Sequence, residues 1–147
     1  MERIFKFAIT HIDWDTMEDG TPVEVNLPSS DELTITTEDD EVSDEVIANA
    51  LSDKHGWCVN NFSAHLISIT VEMTDEQKNK YIDETYEDED FIECFRALLG
   101  FRWIITYYPD TPEKEFQCIL YTDNGHVIRE QDQLDRSYAE GILGETF

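Results

Sequence analysis

Between Phe7 and Asp53 the chain carries no lysine or arginine, while 14 aspartates and glutamates fall in the same stretch. A segment charged in this way forgoes the Glu–Lys pairs that steady helix faces, and its like charges oppose one another. Whatever folds here must be held by apolar residues. These are present: 40% of the 147 residues are hydrophobic and 12% aromatic, too much for a disordered acidic tail. A chain of this length buries one core or two very small ones. We read residues 1–147 as a single acidic α+β domain, with any subdivision falling near 72–75.

Charge also limits what the chain can bind. Against 34 acidic residues stand 10 lysines and arginines, a formal net charge of −24. Direct binding to nucleic acid needs cations to neutralise phosphates, so it is excluded, and docking on anionic membrane is disfavoured. A basic protein partner, a cation or a high-salt environment remains. The longest apolar runs are as short as Trp103-Ile104-Ile105, too short to span a bilayer. The start, Met1 to Lys6, has no signal-peptide core. Cys58, Cys94 and Cys118 are an odd number, widely spaced and flanked by apolar residues, which predicts reduced, core-facing thiols and a cytoplasmic location.

The hydrophobic pattern predicts an antiparallel sheet with two or three helices packed on it. Residues 4–12 alternate as a strand with Phe5, Phe7 and Ile9 inward. A turn at Asp19-Gly20 precedes a second strand through Val23, Val25 and Leu27, and Leu33 and Ile35 continue the alternation. A helix from Asp44 to Lys54 has Ser43 as N-cap, Val46, Ile47, Ala50 and Leu51 as its buried stripe, and Gly56 as its stop. One long or bent strand spans 57–71. The capping box Thr74-Asp75-Glu76-Gln77 opens a helix carrying Tyr81, Ile82 and Tyr86. After the acidic break at 87–90, a further helix is expected to bury Phe91, Ile92, Phe95, Leu98 and Leu99. Strands at 101–108 and 115–122 follow, then a turn at Asp123-Asn124-Gly125 into His126-Val127-Ile128 and a short helix in the tail. Phe5, Phe7, Ile47, Leu51, Phe95, Trp103, Ile105 and Leu120 form the predicted core. Strands and helices without regular βαβ alternation make the class α+β.

Catalytic signatures are missing: there is no Gly-rich phosphate loop, His-Glu-x-x-His, Gly-x-Ser-x-Gly or Cys-x-x-Cys. His11, His55, His65 and His126 are scattered, and His55 reads as a last-turn helix residue. Asp13-Trp14-Asp15 begins like a calcium loop, but Met17 takes the fifth position and Gly20 falls at the eighth, not the sixth. The expectation is therefore no catalytic residue, no metal and no cofactor.

The runs Glu38-Asp39-Asp40-Glu41 with Asp44 and Glu45, and Glu84 with Glu87-Asp88-Glu89-Asp90, are the candidate partner-binding residues. Duplex DNA carries about one negative charge per 1.7 Å of axis, and carboxylates set along a surface can imitate that density. The target would be a protein with a Lys- and Arg-lined channel, drawn in by long-range attraction. Trp14, Trp57, Tyr81 and Tyr86 are candidate aromatic anchors, with core packing the default reading for most of them. In composition the chain resembles small acidic anti-defence proteins of bacteriophages and mobile elements, of the anti-restriction and anti-CRISPR kinds. The segment Leu51 to Phe62 also looks like a stretch of small phage-type proteins. The resemblance implies a non-enzymatic inhibitor of a Cas nuclease or restriction-modification enzyme, acting as a DNA mimic in the bacterial host cytoplasm. The competing reading is an acidic accessory protein whose charge serves solubility alone.

Overall fold

The computed structural model describes all residues except 1, 86, 123, 132, 133 and 145, and the backbone alone at 18, 85, 114 and 128–131. It divides into two compact units, Met1–Ile69 and Thr70–Phe147. The fold is α+β with antiparallel strand pairing, as the hydrophobic pattern predicts.

In the first unit, β1 (Arg3–Asp15) pairs antiparallel with β4 (Asp31–Thr37), with Phe5 opposite Ile35 and Phe7 opposite Leu33. The order is β4-β1-β5, where β5 (Cys58–Glu72) continues into the second unit. Phe5, Phe7 and Ile9 are buried on one face of β1. At His11 the backbone turns left-handed, with φ of 51°, and Ile12 N–H donates to Ser29 O at 3.1 Å. This is a bulge with its first residue in the left-handed region. The extra residue moves the inward face from odd to even positions, so Ile12 is buried where strict alternation would expose it. β2 (Met17–Glu18) and β3 (Thr21–Pro22) form a small hairpin across Asp19-Gly20. Both turn residues have positive φ, 52° and 78°, the requirement of a tight primed turn.

The strand expected through Val23, Val25 and Leu27 does not form: 23–30 is irregular, and Val25 is exposed. Pro22 and Pro28 bound this stretch and cannot donate to a ladder, and β4 already pairs with β1 along 31–37. Helix α1 (Asp44–His55) is capped as its sequence requires. Ser43 Oγ accepts from Val46 N–H, and Gly56 closes the helix at φ 79°. Ile47 and Leu51 are buried, whereas Val46 is 44% exposed and Ala50 only half-buried, so the stripe is narrower than expected.

In the second unit the strand order is β5-β6-β7-β8, with β6 (Arg102–Tyr107), β7 (Phe116–Tyr121) and β8 (Val127–Gln131) paired antiparallel. Helices α2 (Asp75–Thr85), α3 (Glu89–Arg96) and α4 (Arg136–Leu143) complete it, α4 being the expected tail helix. Thr74 and Gln77 exchange the two hydrogen bonds of the capping box, at 2.9 and 3.2 Å. Trp103 is fully buried with Tyr81 and Phe95 edge-on to its ring, and its indole N–H donates to Leu98 O at 2.9 Å. Every residue of the predicted core is buried. Phe91 is a correction: it is 56% exposed. α3 is only eight residues long and centres its inward stripe on Ile92 and Phe95, leaving Phe91 on the flank.

Candidate functional site

Each unit has its own acidic run. In the first, the chain bends through 38–41 between β4 and α1, and Glu38, Asp39, Asp40, Glu41, Asp44 and Glu45 are all exposed. Asp44 and Glu45 lie in the first turn of α1, where they also complement the helix dipole. In the second, Glu84 lies in the last turn of α2, and Glu87, Asp88, Glu89 and Asp90 run into α3, all exposed. Asp88 is the N-cap of α3, its carboxylate accepting from Asp90 N–H at 2.9 Å. Consecutive carboxylates on a bend or a first turn diverge. Among the described residues no three His, Cys, Asp or Glu side chains converge in a way that could hold a metal.

Whether these carboxylates face solvent unopposed depends on the cations. In the first unit, Arg3 is buried and reaches Asp40 at 3.5 Å, Lys6 lies 3.8 Å from Glu32, and Lys54 is 2.8 Å from Asp31. In the second, Lys78 is buried, and its ammonium donates to the carbonyls of Leu99 and Phe101 beyond the end of α3. Lys80 donates to Gly141 O, Arg96 pairs with Asp83, and Arg102 pairs with Glu72. Arg136 is held by Glu115, Tyr107 and Phe147 O, and the Glu115 hydrogen bond raises its pKa. Each described cation thus has a partner within its own unit. Of the candidate carboxylates only Asp40 is in an ion pair among the described residues.

One further cluster joins residues far apart in sequence. Asp31 Oδ2 lies 2.8 Å from His55 Nε2 and 2.8 Å from Lys54 Nζ, and Asp31 Oδ1 accepts from Glu32 N–H. The Trp14 ring meets His55 edge-on, and its indole N–H donates to Pro28 O at 2.8 Å. Burial by itself would push the Asp31 carboxyl up. Hydrogen bonds from Lys54, His55 and the Glu32 N–H outweigh it and hold the pKa at about 2. Sequence reasoning missed this cluster because nothing local marks a contact across 24 residues.

Other expected features are redistributed. Tyr81 is buried in the second unit's core and cannot serve as an anchor, Trp14 and Trp57 are half-buried, and Tyr86 lies outside the described residues. The cysteines are free, but Cys58 and Cys94 are exposed and only Cys118 is buried. Cys58 opens β5 before its inward alternation begins, and Cys94 stands on the outer face of α3. A cleft of about 380 Å³ in the second unit is lined by Thr74, Glu76, Gln77, Lys80 and residues 141–144. Gln77 and Lys80 there donate to the end carbonyls of α4, and Glu76 is the one carboxylate among its described lining residues. No described helix is long and apolar enough to cross a membrane. Comparison with protein-family models, with curated proteins and with solved structures finds no match to this chain.

Proposed function

We propose that the chain is a non-enzymatic inhibitor that binds a basic nucleic-acid-binding protein, a Cas nuclease or a restriction-modification enzyme, through a DNA-mimicking acidic surface. One observation carries the reading. The described cations are tied within each unit, while the carboxylates of 38–45 and 84–90 stand exposed and, Asp40 apart, outside any described ion pair. With 15 acidic against 3 basic residues in the first unit and 19 against 7 in the second, each has a formal charge of −12. A partner with a positive channel is attracted to such a surface, and phosphate-like charge density competes for the same arginines and lysines.

The test is affinity for candidate Cas and restriction enzymes across a salt series, with wild type and with three- or four-fold charge reversals in either run. Single reversals should cost about 0–1 kcal/mol, since solvent screens each pair. Reversing a whole run should cost several kcal/mol and flatten the salt dependence. Target DNA should compete. Binding indifferent to salt, to both runs and to DNA would leave the carboxylates as a solubility coat.

A further inference from the structure

The edge of the first unit's sheet offers a second mode of contact that DNA mimicry does not contain. β4 is an edge strand, with β1 on one side and, among the described residues, no strand on the other. Two observations fix which of its backbone groups face outward. The bulge bond from Ile12 N–H to Ser29 O puts Ser29 in the inward-bonded parity, so Asp31, Leu33, Ile35 and Thr37 bond to β1. Independently, Glu32 O accepts from Lys54 Nζ and Glu32 N–H donates to the Asp31 carboxylate, which requires Glu32 to face away from β1. Thr34 and Thr36 share that parity, and both are exposed. Among the described residues their N–H and C=O groups meet no partner strand and form an open ladder.

Edge strands are normally blunted by an internal lysine or proline, a bulge or a covering loop. β4 has none of the first three: Asp31-Glu32-Leu33-Thr34-Ile35-Thr36-Thr37 runs in unbroken register. Its protection is electrostatic, from Glu32 within the strand and from the 38–41 run directly after it. That guard repels a second copy of this chain, whose edge carries the same charges. It attracts a basic strand. We infer that the outward edge of β4 docks an extended Lys- and Arg-rich segment of a partner protein as an added strand, with main-chain hydrogen bonds to Thr34 and Thr36 and carboxylates from Glu32 and 38–41 meeting its cations.

A seven-residue peptide alternating Lys and Val, matched to the length of β4, and its counterpart N-methylated at every amide are the probes. The plain peptide should bind and protect the Thr34 and Thr36 amides from hydrogen exchange. The N-methylated peptide should bind at least about fivefold more weakly, because only main-chain bonds are lost. Thr34→Pro removes an outward N–H that the β1 ladder does not use, and should weaken the plain peptide similarly while leaving the melting curve near wild type. If that variant fails to fold, the two peptides and the exchange pattern on wild type decide. Equal affinity for both peptides, or binding without protection at Thr34 and Thr36, would overturn the inference. So would self-association through this edge. Reversal of the 84–90 run separates the two proposals, since it should weaken a mimicry target without altering peptide binding at β4.

Discussion

His55 Nε2 lies 2.8 Å from Asp31 Oδ2, closing the C-terminal end of α1 onto the start of β4. Lys54 reaches the same carboxylate, so one aspartate anchors the last turn of the helix in a segment otherwise poor in cations. Asp31 is held at a pKa of about 2 against an ordinary 3.8. A depressed carboxyl stabilises the fold above its unfolded pKa, and the contribution fades as pH falls through the folded one. Asp31→Asn should therefore cost roughly 1–2 kcal/mol above about pH 4, a figure reduced because half-exposed Lys54 is screened by solvent. The gap to wild type should close as pH falls toward 2. Urea melts of both proteins across that range check it; a gap independent of pH would mean the ionised carboxylate is not what anchors the helix.

Gly56 ends α1 at φ 79°, and a Cβ built there meets no atom within 4 Å. The cost of Gly56→Ala should thus be backbone strain alone, about 1 kcal/mol, without rearrangement of neighbours. Ser43→Ala at the other end removes the bond to Val46 N–H and should cost about as much. Denaturant midpoints with unchanged slopes would confirm both.

Trp103 is completely buried in the second unit, between Tyr81 and Phe95. Trp103→Ala should destabilise by about 3–5 kcal/mol through the cavity it leaves. Trp103→Phe keeps most of the volume and removes one of the two hydrogen bonds to Leu98 O, which still accepts from Phe101 N–H, and should cost less. Thermal melts followed by near-ultraviolet circular dichroism would report loss of this packing directly.

Carboxylates that diverge from one another should bind divalent ions weakly and without preference. Millimolar calcium and magnesium should raise the melting temperature by similar small amounts, and sodium chloride should also raise it by screening repulsion among the carboxylates. A large shift selective for calcium and saturating at micromolar concentrations would reveal a converged site among residues that the described geometry keeps apart.

The sequence by itself determined the elements whose causes are local. Ser43 and Gly56 bound α1, Thr74 and Gln77 open α2, Asp19-Gly20 makes its turn, alternation in β1 marks Phe5 and Phe7 as core, and the short apolar run of β6 marks Trp103 and Ile105. These signals act over a few residues, through φ preferences, caps and the period of the side chains. The charge imbalance was equally plain, since it needs no coordinates. Only the tertiary structure decided what depends on neighbours distant in sequence. The bulge at His11 shifts the inward face to Ile12, and pairing of β4 with β1 leaves Val23 to Leu27 without a partner strand. The short α3 turns Phe91 outward, and Asp31 meets His55 across 24 residues. The open edge at Thr34 and Thr36 belongs to this second kind, because which amides face outward is set by the register against β1 and not by the residues of β4 themselves.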